Sequence, residues 1–109
     1  SSKTEYGPSG GLMIALAVYD AITEEDITGG MTIVGTGTID AYGNVGSIGG
    51  IEYKLKGAEK KGADIFFVPR GENYDEAKKL VDKEKYKIKL VPVSTFEEAL
   101  NYLLKNVSQ

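Results

Sequence analysis

Two residues, Ser9 and Lys54, could together perform nucleophilic chemistry in a chain that has neither histidine nor cysteine. Ser9 lies in the sequence Gly-Pro-Ser-Gly-Gly of residues 7–11, directly before a long apolar segment. With histidine absent, a serine nucleophile needs another base, and a lysine amine can accept its proton. Lys54 follows two glycines near the start of a second helical pattern. The pair can act as a dyad only if the fold brings the two side chains together.

Ser9 also has a simpler interpretation, as the N-cap of the helix that follows it. A serine hydroxyl at that position accepts a backbone N–H of the first helical turn. The same position offers free N–H groups and positive potential that could stabilise an oxyanion. Gly10 and Gly11 leave room for the backbone of a substrate. These residues are compatible with catalysis and with capping alike.

Lys54 lies at the border of an apolar stripe formed by Ile51, Leu55 and Ala58 at helical spacing. A lysine at such a border commonly lays its methylene stem over apolar surface and keeps its ammonium group in water. The alternative is a desolvated amine that accepts the serine proton. Periodicity alone leaves both interpretations open.

The composition is that of one soluble globular domain, with 109 residues of which 41% are hydrophobic and 27% charged. The formal net charge is −3 and Arg70 is the only arginine, so nucleic acid is not an expected partner. Without cysteine or histidine, thiol catalysis and the common zinc sites are excluded, and we expect no metal. No phosphate-binding glycine motif occurs, and we expect no cofactor. The longest apolar run is too short to span a bilayer.

Apolar periodicity and turn residues predict an α/β fold in a single domain, residues 1–109. Helices are expected at residues 9–23, 51–61, 73–81 and from Ser94, and strands at 31–39, 45–48, 64–68 and 88–93. Two capping boxes, Asn73 with Glu76 and Ser94 with Glu97, are expected to begin the last two helices. The order predicts a mixed sheet, with a β-hairpin followed by βαβ-type crossovers and flanking helices.

Three segments in order extend these observations: residues 7–11, Thr-Gly-Thr-Ile at 36–39, and Gly-Asn-Val-Gly-Ser-Ile-Gly-Gly-Ile-Glu-Tyr-Lys at 43–54. Together they resemble the proteolytic domain of the Lon protease family, which has a Gly-Pro-Ser-Ala-Gly nucleophile motif and an Ile-Gly-Gly-hydrophobic-x-x-Lys helix start. The resemblance implies a serine-type endopeptidase that hydrolyses peptide bonds of peptides or unfolded proteins. It also implies that Ser9 is the nucleophile, Lys54 is the general base, and the Thr36 hydroxyl helps to hold the lysine amine.

The chain departs from the family pattern at several positions. Gly10 replaces the common alanine, and Tyr6 stands where classical members often carry an acidic residue. Thr38 stands where ATP-dependent members commonly have glutamate. At Thr38 and at residues 63–67, the chain is similar to the membrane-anchored bacterial proteases that pair a PDZ domain with a Lon-type domain. That likeness implies a parent protein anchored in the membrane with its protease domain outside the cytoplasm; the alternative is a cytoplasmic protein.

The family's proteolytic domain is nearly twice as long as this chain, with its nucleophile near the middle. We therefore expect the C-terminal half of a catalytic domain, folded but weakly active or inactive in isolation. An open sheet edge would favour self-association. The alternative function is a non-catalytic α/β module that binds a peptide or small ligand, in which Ser9 only caps a helix.

Overall fold

A three-stranded parallel sheet forms the centre of the molecule, which a computed structural model describes from residue 10 to residue 108. Within that range the helices are α1 (Gly11–Ile22), α2 (Ile51–Lys60), α3 (Glu72–Glu84) and α4 (Phe96–Asn106). The strands are β1 (Ile33–Gly35), β2 (Thr38–Ile39), β3 (Val45–Gly46), β4 (Ile65–Pro69) and β5 (Lys89–Val93). No helix in the described part of the chain is long and apolar enough to cross a membrane.

Parallel pairing gives the sheet the order β1-β4-β5, with β4 in the centre. Each connection between neighbouring strands of this sheet contains a helix, α2 before β4 and α3 before β5. All five residues of β4 are buried, as expected for a strand that is covered on both faces. The predicted α/β class, with a parallel sheet and flanking helices, is confirmed.

Two apolar clusters show which helices cover each face of the sheet. Leu12 and Leu16 of α1 lie in one cluster with Phe67 and with Leu103 of α4. The second cluster contains the α2 stripe Ile51, Leu55 and Ala58, the α3 residue Ala77, and Phe66. Successive side chains of a strand point to opposite faces of the sheet. Phe67 therefore lies in the first cluster and its neighbour Phe66 in the second.

The predicted strand over residues 31–39 is wrong as a single element, because the chain changes partners at Thr36 and Gly37. Residues 33–35 pair in parallel with β4, whereas residues 38–39 pair antiparallel with β3. Gly37 has a φ of +138°, a conformation that favours glycine, and a Cβ there would lie 2.7 Å from Val45. The predicted hairpin exists, but it is shorter than expected and forms a separate two-stranded sheet.

Both predicted capping boxes are wrong in position. The N-cap of α4 is Thr95, whose side chain accepts the N–H of Glu98 at 3.1 Å. The same Ser/Thr-x-x-Glu pattern thus operates one residue later than predicted. Helix α3 begins at Glu72, so Asn73 lies in its first turn and does not cap it.

Candidate active site

The candidate site lies at the carboxyl end of the parallel strands, where the helices of an α/β fold begin. Helix α3 begins three residues after β4 ends, and α4 begins three residues after β5 ends. The start of α1 is fixed at the same edge, because the N–H of Leu12 donates to the carbonyl of Gly37 at 3.1 Å. Gly37 lies in the turn that directly follows β1. The sheet edge therefore collects helix starts around the end of β1.

Thr36 occupies the first position after β1 and is 1% exposed. Its backbone N–H donates to the carbonyl of Phe67 at 3.0 Å, which extends the pairing of β1 with β4 by one residue. Val34, two positions earlier, packs against the cluster that contains α2. By the alternation of strand side chains, Thr36 also belongs to the α2 side of the sheet. This is the side from which Lys54 projects.

Lys54 lies in the first turn of α2, and its N–H donates to the carbonyl of Gly50 at 3.2 Å. The predicted stripe is confirmed, since Ile51, Leu55 and Ala58 are all buried. Lys54 itself is partly buried at the border of that stripe, whereas Lys56 is exposed. The structure thus places Lys54 at the edge of the core, in the first turn of α2.

Ser9 lies outside the described residues, so the Ser9–Lys54 pair stays a prediction. The residues that follow Ser9 are well placed: Gly10 is buried and is the N-cap of α1. A Cβ at Gly11 would lie 2.8 Å from Ile39 Cγ2 and 2.9 Å from its backbone nitrogen. Only glycine fits this approach, which holds the start of α1 against β2. The alternative role of Ser9 as a helix cap likewise lies outside the described residues.

Asn73 is a site residue whose role the sequence analysis missed. It is 3% exposed, and its side-chain amide pairs with both backbone groups of Ile48. The Ile48 N–H donates to Asn73 Oδ1 at 2.8 Å, and Asn73 Nδ2 donates to the Ile48 carbonyl at 2.9 Å. These two hydrogen bonds hold the segment that leads into α2. An asparagine near a helix start predicts a cap; no local pattern indicates a partner 25 residues away.

Polar contacts fix the β2–β3 hairpin over the same edge. The Val45 N–H donates to the Ser94 carbonyl and the Phe96 N–H donates to the Gly43 carbonyl, each at 2.8 Å. Backbone and side-chain hydrogen bonds from Asn44 hold the pKa of Asp40 below its ordinary value. The hairpin is thereby tied to the start of α4.

The ends of β4 and β5 are joined by an ion pair. The Ser94 N–H, followed by the Arg70 guanidinium, holds the pKa of Glu98 below its ordinary value. Arg70 lies 3.0 Å from Glu98 and also donates to Ser94 Oγ at 3.0 Å. These groups pair with one another and hold this end of the sheet together.

A groove of about 1190 Å³ runs around the free edge of β1, from α1 on one face to α2 on the other. Met13 and Ala17 of α1, the strand itself, and Lys54 and Gly57 of α2 line it. Within the described residues β1 is the outermost strand of its sheet, so its second edge faces this groove. Residues 10–108 contain no cluster of three or more acidic, histidine or cysteine side chains that could hold a metal ion.

Comparison with known proteins identifies the class. Residues 2–106 match the Lon protease (S16) C-terminal proteolytic domain, and the chain belongs to this family. Many Lon proteases are similar to it, which supports a serine protease function.

Individual relatives are similar over most of this chain but much longer themselves. Lon protease 2 of Bacillus subtilis is 35% identical over 100 residues, 92% of this chain and 17% of the relative. Lon protease of Aster yellows witches'-broom phytoplasma is 33% identical over 95 residues, 87% of this chain and 12% of the relative. Lon protease of Mesomycoplasma hyopneumoniae is 32% identical over 102 residues, 91% of this chain and 11% of the relative. The chain therefore spans less than a fifth of each of these proteins.

Proposed function

We propose that residues 1–109 are the C-terminal part of a Lon-type proteolytic domain and carry the Ser-Lys dyad of a serine endopeptidase. Ser9 is the nucleophile, Lys54 is the general base, and Thr36 holds the lysine amine. The observation that carries this proposal is the hydrogen bond from Leu12 to Gly37. It fixes the helix that follows Ser9 beside the turn that contains buried Thr36, on the strand that α2 covers.

The reaction is an acyl transfer in two steps. Ser9 Oγ attacks the peptide carbonyl while its proton passes to the neutral Lys54 amine. The Lys54 ammonium then protonates the leaving amine, and an acyl-enzyme remains. Water attacks this ester after giving a proton to Lys54, and collapse of the second intermediate releases the new carboxylate and returns the proton to Ser9. Backbone N–H groups at the start of α1 stabilise the oxyanion in both steps.

The substrate class is a peptide or an unfolded protein. The groove beside β1 has a lining of apolar residues and of four lysines, one of which is Lys54. An exposed strand edge can pair with an extended peptide through main-chain hydrogen bonds. The same groove also favours the alternative function, a non-catalytic module that binds a peptide or ligand and in which Ser9 only caps a helix.

Mutation of the dyad in the whole protein separates these two functions. Ser9→Ala and Lys54→Ala are each expected to reduce kcat/KM for peptide hydrolysis by at least about a thousandfold, and the double variant is no worse. Members of one proton-transfer unit are non-additive because losing either disables the same step. Lys79→Ala is the control, since Lys79 is an exposed lysine of α3 that does not line the groove.

A further readout completes this test. A serine-directed electrophile should label Ser9. Multiplicative losses in the double variant, or full activity in Lys54→Ala, would show that the two residues are not a dyad. Retained peptide binding with no hydrolysis in the native protein would favour the binding module.

We also propose that the parent protein belongs to the membrane-anchored subfamily that carries a PDZ domain, with its protease domain outside the cytoplasm. Thr38, which lies on β2, supports this assignment. Determination of the gene sequence upstream of Ser1 is the direct test. A membrane-spanning segment and a PDZ domain are expected, whereas an ATPase module would overturn the assignment and favour a cytoplasmic protein.

The isolated 109-residue chain is expected to be weakly active or inactive and to self-associate. The free edge of β1 supports this proposal, because an unpaired strand edge is a template for a second chain. Sedimentation equilibrium should reveal the association, and parallel assays should compare peptide hydrolysis with that of the whole protein. A monomeric chain with full turnover would contradict both expectations.

A further inference from the structure

We propose that Asn73 is a positioning residue that orients Lys54 by clamping the segment in front of α2. The proposal rests on the assignment of Lys54 as the general base. It concerns a side chain on α3 that is hydrogen-bonded to the backbone of Ile48, three residues before α2.

The segment between Ile48 and α2 has little else to hold it. Gly49 and Gly50 are exposed, and a Cβ at either position would meet nothing within 4 Å. Glycine is the most flexible residue of the backbone, so two in succession transmit little orientation by themselves. Order in this segment must therefore come from its two ends, which are Ile48 and the buried Ile51.

Helix α2 also lacks the usual device for ordering a helix start. Its N-cap is Gly50, which adopts a left-handed conformation with φ of +72° and offers no side-chain cap. A helix without a cap frays most readily in its first turn, and Lys54 lies in that turn. Asn73 replaces the cap from a distance, since it fixes the chain three residues before the helix begins.

The chemistry of the contact requires an amide of this length. Asn73 accepts from the Ile48 N–H and donates to the Ile48 carbonyl, so one planar side chain satisfies both backbone groups. Aspartate would keep the acceptor but turn a second oxygen toward the Ile48 carbonyl. Alanine would leave both backbone groups without this partner. The bond is largely shielded from water, because Asn73 is buried.

The test combines kinetics with amide hydrogen exchange on the whole protein. Asn73→Ala is expected to lower kcat by about ten- to a hundredfold, because a small misplacement of a catalytic group has an effect of that order. KM should change less than about threefold, since Asn73 does not line the groove. Asn73→Asp keeps the size of the side chain and should likewise lower kcat while KM changes little. Asn101→Ala, on the exposed surface of α4, is the control and should leave both constants unchanged.

Hydrogen exchange distinguishes positioning from general destabilisation and does not depend on the dyad. In Asn73→Ala the amides of Lys54 and Leu55, the first in α2 with helical acceptors, should exchange at least about tenfold faster, while those of β4 keep their protection. Equal loss of protection throughout the domain, or unchanged exchange at the start of α2, would overturn the proposal. So would faster local exchange with an unchanged kcat. If Lys54→Ala were active, the proposed function would fail, but the exchange result would still report whether the clamp exists.

Discussion

Strands β4 and β1 are neighbours in one sheet but differ in almost every physical respect. Strand β4 has five buried residues and pairs on both sides. Strand β1 has three residues, of which only Ile33 is buried, and within residues 10–108 it pairs on one side. The β4 side is closed by α3, β5 and an ion pair, whereas the β1 side opens onto the groove.

The side chains buried in β4 are different from the residues that are proposed to carry the chemistry. Of the residues proposed for catalysis, Thr36 lies at the end of β1 and Lys54 in the first turn of α2, while the positioning residue Asn73 lies at the start of α3. The largest buried side chains, Phe66 and Phe67, lie on β4. A reactive group must be accessible to its substrate, and an open edge next to a rigid strand provides access without loss of position.

Removal of a large buried side chain from the central strand, β4, should have the largest effect on the free energy of unfolding. Phe67 is fully buried and makes an edge-to-face contact with Tyr102 at 6.0 Å. Phe67→Ala is expected to lower the free energy of unfolding by about 3–5 kcal/mol, measured by urea denaturation. Ile22→Ala is the control from the open side, because Ile22 is 77% exposed. It should change stability by less than about 0.5 kcal/mol. Equal effects of the two substitutions would contradict the comparison.

A methyl group at Gly35 tests how closely β1 approaches β4. A Cβ there would lie 2.9 Å from Phe67 Cβ and 2.9 Å from Met13 Sδ. Gly35→Ala should therefore cost about 1–3 kcal/mol of unfolding free energy. Gly57→Ala is the matched substitution on α2, where a Cβ would meet nothing within 4 Å. It should stabilise the protein by about 0.5–1 kcal/mol. If Gly35→Ala were neutral, the β1–β4 contact would be looser than the structure indicates.

Acid should weaken the closed side of the sheet by a smaller amount. Because the pKa of Glu98 is lowered in the folded state, its charged form stabilises the fold above its ordinary pKa near 4.5. This stabilisation is lost as the pH falls through the lowered pKa. Glu98→Gln should cost less than about 1 kcal/mol at pH 7, and the difference from wild type should shrink below pH 4. Glu97→Gln, one residue away and exposed, is the control. Thermal unfolding from pH 7 to pH 2.5 measures both; a difference that grows in acid would contradict the role of Glu98.

The sequence predicted the elements whose signals are local. The α2 stripe from Ile51 to Ala58 follows from helical periodicity, and the continuous apolar run at residues 64–68 indicated a strand covered on both faces. Their parallel order follows from the alternation of strands and helices. These features depend on side chains that are close together in the chain.

Predictions failed where distant contacts decide the structure. Residues 31–39 are rich in β-branched side chains on both sides of Gly37, so their composition does not reveal that the chain changes sheets there. Two overlapping capping patterns begin at Ser94 and Thr95, and the backbone selects the second. Asn73 matches a cap pattern, but its partner Ile48 lies on another segment. The Ser9–Lys54 pair stays a prediction, because Ser9 lies outside residues 10–108.

The four helix starts at the sheet edge have a further electrostatic consequence. The first turns of α2, α3 and α4 carry carboxylates, which are Glu52, then Glu72 and Asp75, then Glu97 and Glu98. These side chains neutralise the partial positive charge that backbone dipoles place at a helix N-terminus. The first turn of α1, which is described in full, carries no acidic residue. Among the described residues, the backbone field at this edge therefore has no acidic partner in the first turn of α1, the helix that follows Ser9, where the proposed acyl transfer would develop a negative charge.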